Sequence, residues 1–218
     1  MLTPSLGASL AADKGCPLHN WTRDVHCIIV GMNTQLANYI RVYDGDLAAD
    51  LCDQLVASFG SLSHLRKLNG RGHRSGLEDS AWTELTITRI ADAALLGKLR
   101  QKITFGLGRY NRDTGLSIPI PNSAKLDELT IKRYQPGRDE NFQLHFDSLN
   151  ERSNRYLVLL WYLNDVAEGG ETEFPALGVK IAPRRGSLLM FPPYWMFQHA
   201  GLPPISGDKY ILSTYLLF

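Results

Sequence analysis

The chain carries few of the features that would place it in a specialised class. It has only three cysteines in 218 residues, Cys16, Cys27 and Cys52, which are far apart and form no CxxC pair. That excludes a disulfide scaffold or a thiolate metal knuckle and fits a reducing compartment, so a cytoplasmic location is expected. Charge of either sign is not in excess: 23 Lys and Arg against 22 Asp and Glu leave a net charge of +1. No overall field therefore draws the protein to nucleic acid or an anionic membrane. No apolar run approaches the roughly 18 residues of a membrane-spanning helix. Repeats and low-complexity stretches are absent, and the first thirty residues lack the basic-then-apolar order of a secretory signal.

What is present is an ordinary globular composition, 44% hydrophobic and 21% charged, with enough length for one substantial core. Residues 1–31 mix small, polar and apolar residues without a period, apart from a short β-prone stretch at 27–30. They read as an N-terminal arm, with Met32 as a conceivable start. Residues 32–125 carry two segments of helical period. In 47–59, Leu47, Leu51, Leu55 and Phe59 fall four apart on one stripe, with Asp46 placed to cap the helix. In 92–109, Leu95, Leu96, Leu99, Ile103 and Leu107 form the apolar face. Residues 69–80 and 111–124 read as loops. Arg71, His73 and Arg74 make the first of them basic, as a solvated loop or a lid over an acidic substrate.

From residue 126 the pattern changes to short β-prone runs at 129–135, 142–147, 156–163, 178–181, 187–191 and 209–218. Turn signals such as Pro136-Gly137 and Gly169-Gly170 separate them. The expected fold is α+β, mainly β: a jelly roll over residues 126–218, with the preceding helices on one outer face.

Within the second run, His145 and Asp147 stand two apart. On a strand that spacing aims both side chains at the same face. His199, after the run 187–191, is a candidate third ligand. Two histidines and one carboxylate on one side of a metal leave open positions on the other, which suits Fe(II). A strand histidine satisfied by a neighbouring carboxylate would show the same His-x-Asp pattern. Lys209 adds weight, because a lysine opening an apolar strand is costly to bury without an anionic partner.

Several landmarks share one order and spacing: Tyr134-Gln135-Pro136-Gly137, His145-Phe146-Asp147, Arg155, Glu168-Gly169-Gly170-Glu171-Thr172, His199-Ala200-Gly201 and Gly207-Asp208-Lys209. In this the chain resembles the prolyl 4-hydroxylase-like branch of the Fe(II)/2-oxoglutarate oxygenases. The resemblance implies a double-stranded β-helix, with iron on His145, Asp147 and His199. It also implies Lys209 on the distal carboxylate of 2-oxoglutarate, with Tyr134 and Thr172 beside it, and Arg155 in the substrate cleft. The cofactor and cosubstrates would be Fe(II), 2-oxoglutarate and O2, with L-ascorbate a further candidate. The products would be succinate, CO2 and a hydroxylated protein side chain or small molecule. Related halogenases leave the carboxylate ligand position empty, so Asp147 favours hydroxylation.

The resemblance weakens on the substrate side. Peptidyl-prolyl hydroxylases of this branch carry an aromatic-x-His pattern where this chain has Tyr215 and Leu217, and a tyrosine where it has Phe142. Trp161, Trp195 and Phe197 read as core or cleft wall rather than a base-stacking platform, and His19, His26 and His64 as incidental. Competing readings are a cupin-like metal-binding module without turnover and a zinc hydrolase on the same ligands. Neither gives Lys209 a purpose.

Overall fold

The computed structural model describes residues 36–122 and 125–218. The expected arm, with Cys16, Cys27, His19 and His26, lies outside the described residues. Eleven strands and two α-helices are present among them. In chain order these are β1 (Arg41–Tyr43), α1 (Ala49–Ser61), β2 (Lys67–Gly70), β3 (Ala81–Thr86), α2 (Ala93–Thr114), β4 (Thr130–Tyr134), β5 (Phe142–His145) and β6 (Arg155–Tyr162). They continue with β7 (Thr172–Phe174), β8 (Val179–Ile181), β9 (Leu188–Phe191), β10 (His199–Gly201) and β11 (Lys209–Leu217).

Two antiparallel sheets face each other as a double-stranded β-helix. The larger runs β1-β9-β6-β11-β4-β3-β2 and the smaller β5-β10-β7-β8. Strict alternation along the central strands decides what lies on each side. From β6, Leu157, Leu159 and Trp161 join the helices α1 and α2 in one core, while Val158, Leu160 and Tyr162 join the space between the sheets. β9 divides the same way, with Leu188 and Met190 outward and Leu189 and Phe191 inward. Such fully covered strands read as continuous apolar runs, which is why these two were legible as strands.

The helical periodicities are present. α1 buries Cys52, Leu55 and Phe59, and α2 buries Leu99, Ile103, Leu107 and Tyr110. α2 is capped by Asp92, whose side chain accepts from the Leu95 N–H at 2.7 Å, and ends at Gly115 in the left-handed conformation. Gly106 lets α2 lie close on β9, since a Cβ there would sit 2.9 Å from Leu188 Cδ2.

Three expectations change. α1 begins at Ala49 behind Ala48, with no side-chain cap. Asp46 is instead buried, accepts from Trp161 Nε1 at 2.8 Å and pairs with Arg109. A partner in the tertiary core satisfies the carboxylate better than the free N–H groups of an exposed helix end. The segment before residue 126 is also not only helical: β1, β2 and β3 extend the large sheet. Finally, Trp195 is 67% exposed and takes no part in the core, whereas Trp161 and Phe197 are buried.

Removing the Asp46 carboxylate should leave the Trp161 N–H without its acceptor and Arg109 without its counterion. Asp46→Ala is expected to cost about 2–4 kcal/mol in chemical denaturation. A loss below about 0.5 kcal/mol would show that the contact does not hold helix to sheet.

Candidate metal and cosubstrate site

The site lies between the sheets and draws on both. On the small sheet, β5 and β10 pair so that His145 and His199 are direct register partners. Their imidazole centroids lie 4.2 Å apart. Asp147 lies two residues beyond the end of β5, where its N–H and that of Ser148 donate to Pro193 O at 3.1 and 3.0 Å. This anchor turns the carboxylate back between the rings. His145 Nε2 is 3.5 Å from Asp147 Oδ1, and His199 Nε2 is 3.5 Å from Oδ2. The three side chains offer ligand atoms all within 4.8 Å of one another.

The protonation of this trio follows from its surroundings. His145 Nδ1 lies 2.8 Å from Gln143 O, and His199 Nδ1 lies 3.0 Å from Phe197 O. A carbonyl only accepts, so each Nδ1 carries a hydrogen and each ring turns its Nε2 inward. Burial, with the neighbouring His145, pushes the His199 pKa down to about 4, so that ring is neutral at ordinary pH. Burial opposes charge on Asp147, but positive charge beside it, from a shared imidazole proton or the Lys132 ammonium, holds the carboxyl below its usual range. Two inward-facing imidazole nitrogens and an anion thus converge, and a cation, whether a shared proton or a metal ion, is what holds such a trio together. The donor set fits Fe(II) as sequence spacing anticipated, with nitrogen and oxygen ligands on one side and the other side open. Although β5 ends at His145, the i, i+2 convergence survives because Asp147 is fixed by the Pro193 carbonyl.

Behind the trio, the inner face of the large sheet carries the other residues. Lys209 on β11 is the register partner of Tyr134 on β4, and its Nζ lies 5.4 Å from the Tyr134 ring centroid. Thr172 on β7 pairs with Gly201 of β10, and its Oγ1 accepts from the Tyr162 hydroxyl at 2.7 Å. One pocket is lined by His145, Asp147, His199, Tyr134, Thr172 and Lys209 together. Lys209 is only 2% exposed and has no ion pair among the described residues. Burial pushes its pKa down to about 7, a shift that the carboxylate of Glu171 partly offsets.

Arg155 stands apart from this pocket, in the cleft that adjoins it. Its Nε donates to Asp127 Oδ2 at 2.9 Å, and its guanidinium lies 3.6 Å from the Tyr215 ring centroid. The Tyr215 hydroxyl donates to Asp147 Oδ1 at 3.0 Å. A chain of contacts therefore runs from Asp127 through Arg155 and Tyr215 to the carboxylate of the trio. Tyr215 entered the sequence reading only as a departure, because a tyrosine in an apolar strand does not announce its hydrogen bond. Lys132 was missed altogether. It lies on β4 two residues before Tyr134, on the same face, and that spacing was the available signal.

Residues 129–217 match the model of the 2OG-Fe(II) oxygenase superfamily. Over this segment the chain is similar to the 2OG-Fe(II) oxygenases. Among curated relatives, a probable prolyl 4-hydroxylase of Arabidopsis thaliana is 23% identical over 209 residues, covering 80% of this chain and 66% of that one. The chain thus spans just under two thirds of the length of this relative. Two solved oxygenases share the fold. A viral collagen prolyl hydroxylase of Paramecium bursaria Chlorella virus 1, in complex with 2OG, superposes with a TM-score of 0.56 at 23% identity, over 81% of this chain and 94% of that one. A prolyl hydroxylase of Trichoplax adhaerens, in complex with a hypoxia inducible factor peptide fragment, gives 0.65 at 17% identity, over 90% and 93%. The family's cofactor and cosubstrate are Fe(II) and 2-oxoglutarate, and the trio suits the metal.

If the trio is a metal site, Co(II) or Mn(II) should raise the melting temperature of the wild type and leave Asp147→Ala and His199→Ala unmoved. Tyr215→Phe should bind the same ion about 10- to 100-fold more weakly, because the carboxylate loses its orienting donor. An equal thermal shift in all four proteins would remove the trio from consideration.

Proposed function

We propose that the protein is an Fe(II)- and 2-oxoglutarate-dependent dioxygenase that hydroxylates a C–H bond of a protein side chain. The observation that carries this reading is the buried Lys209 ammonium, without an ion-pair partner, in the pocket that also holds the two-histidine, one-carboxylate trio. A metal-binding module or a hydrolase has no use for such a cation, whereas a dicarboxylic cosubstrate satisfies it.

In this reading His145, Asp147 and His199 hold Fe(II) and are the catalytic centre. Lys209 pairs with the distal carboxylate of 2-oxoglutarate, and Tyr134 and Thr172 donate hydroxyl hydrogens to it. Thr172 is available for this because its oxygen already accepts from Tyr162, leaving its own hydrogen free to point into the pocket. Bound there, iron with 2-oxoglutarate and O2 supplies oxidative decarboxylation to succinate and CO2, coupled to insertion of one oxygen atom into the C–H bond. Val158, Leu160, Phe191 and Ile211 line the same pocket and keep it dry, which strengthens every charge interaction inside it. Tyr215 fixes the Asp147 carboxylate, and Arg155 fixes Tyr215, so the arginine expected in the substrate cleft acts here as a positioning residue.

A peptide substrate is supported by the form of the opening. A cleft of about 710 Å³ runs from His145 and Asp147 outward between residues 73–77 and 149–152. Two loops flanking an open trough suit an extended chain better than an enclosed metabolite. The relatives named as prolyl 4-hydroxylases make peptidyl proline the first residue to test.

Anaerobic addition of Fe(II) and 2-oxoglutarate should give a weak visible charge-transfer band, with succinate released once O2 and a substrate peptide are admitted. Lys209→Met should abolish the band at cosubstrate levels that saturate the wild type. A free-protein Lys209 pKa near 7 also sets a sign. The ammonium is present below that pH and lost above it, while the bound dicarboxylate holds the proton on. Affinity for 2-oxoglutarate should therefore be greatest below about pH 7 and fall by up to roughly tenfold per pH unit above it. Affinity that rises with pH, or a band indifferent to Lys209→Met, would return the pocket to a purely structural role.

A further inference from the structure

The two histidines of the trio are held by different means. His199 sits on β10, an inner strand of the small sheet, and its ring packs edge-on against Phe191 at 4.7 Å and tilted against Phe174 at 5.5 Å. His145 sits on β5, the edge strand of that sheet, and the β5–β10 register shifts between the pairs at His199 and Gly201. A short, irregular edge ladder fixes the backbone beneath a side chain less firmly than a continuous inner one. What orients the His145 ring lies beside it. Phe142 stacks on it at 3.8 Å with an 11° interplanar angle, and the Gln143 carbonyl accepts its Nδ1 hydrogen at 2.8 Å.

The position of Gln143 sets that acceptor, and Gln143 is itself placed from outside the small sheet. Its side-chain Oε1 accepts from the Asp79 N–H at 3.0 Å and from the Ser80 hydroxyl at 3.1 Å. Nε2 donates to Gly76 O at 3.1 Å, and the main-chain N–H donates to Ser80 Oγ at 2.9 Å. Two donors at one end of the amide and a carbonyl at the other fix which way it points. Ser80 is fully buried, and the Ala81–Asn141 bridge, with N–H···O bonds of 3.0 and 3.1 Å, continues the join. The segment so engaged, 76–80, leads into β3 and continues the cleft wall made by residues 73–77. Gly76 belongs to both.

From these contacts, and resting on the reading of the trio as the iron site, we infer that Gln143 is a positioning residue for His145. Its side chain fastens β5 to the cleft wall, and its carbonyl passes that placement on to the ligand imidazole. A displaced carbonyl lets the ring turn about its Cβ–Cγ bond, and Nε2 then leaves the point it shares with Asp147 and His199. The geometry of the metal site thus depends on a segment that contributes no ligand to it. Asn111 supplies a contrast. Its amide also clamps a loop, accepting from the Ile120 N–H at 2.9 Å and donating to Ile120 O at 2.8 Å. It does so from α2, on the outer side of the large sheet.

The test follows Co(II) binding by titration calorimetry and by the visible d–d bands of the bound ion, with thermal melting of each metal-free protein alongside. The wild type should bind a single Co(II), and His199→Ala should bind it at least about tenfold more weakly. Gln143→Met removes the side-chain hydrogen bonds at nearly constant length. It should weaken Co(II) binding about five- to tenfold and shift the bands. Ser80→Ala breaks the same join from the loop side, and should weaken Co(II) about two- to fourfold with a band shift in the same direction. Asn111→Leu should lower the melting temperature while keeping the wild-type affinity and bands. A matching change in Asn111→Leu would trace the effect to general loosening and overturn the inference. So would wild-type affinity and bands in Gln143→Met and Ser80→Ala, which would make Gln143 a structural clamp and leave the metal site standing. Should Gln143→Met not fold, unchanged affinity and bands in Ser80→Ala are enough to reject the role. No Co(II) binding by the wild type, or equal binding by His199→Ala, would remove the metal reading itself and this inference with it.

Discussion

Two imidazole nitrogens and a carboxylate face one another across about 3.5 Å, an arrangement that calls for a cation among them. The rings are locked this way by main-chain carbonyls on their far sides, and the carboxylate by Tyr215 and the backbone at Pro193. Left alone, such a cluster of acceptors would spread apart or take up a proton. That it is instead buried and over-determined is the constraint around which the sheets are arranged. The β5–β10 register sets the two histidines opposite each other, and the inner face of the large sheet supplies what stands behind them.

Charge in the interior follows from that cluster. The trio needs a cation, the cation needs further anionic ligands to complete its shell, and a dicarboxylic ligand needs a counterion at its far end. Lys209 meets the last requirement from β11, the strand that also carries Ile211, Ser213 and Tyr215 on its inner face. In the proposed reading, one strand would grip the cosubstrate at its start and steady a metal ligand six residues on. The outer core, with α1, α2 and the buried Asp46–Arg109–Trp161 contact, gives that strand a rigid back. Precision at the site is inherited from burial on both faces of the large sheet.

Much of this was legible in the sequence, and for identifiable reasons. The C-terminal strands are short apolar runs between Gly and Pro turns. His145, Asp147 and His199 are unusual residues for such runs, and Lys209 is more so. The helices declared themselves through leucines four apart. Other features depend on long-range partners and carried no local signal. β1 and β2 are three and four residues long, and β2 reads as polar Lys67-Leu68-Asn69-Gly70. They are strands only because a sheet edge is waiting for them. Asp46 looked like a cap because its acceptor role is visible from sequence while the distant Trp161 is not. Lys132 hid in plain view two residues before Tyr134, and the fold places it on the wall of the cleft.

The direct measurement is anomalous diffraction at the iron edge from crystals grown anaerobically with Fe(II) and 2-oxoglutarate. The account predicts a single peak within bonding distance of His145 Nε2, Asp147 and His199 Nε2, chelated by the keto-acid end of the cosubstrate, with the other carboxylate against Lys209. No peak at the trio, or a cosubstrate bound away from Lys209, would contradict it.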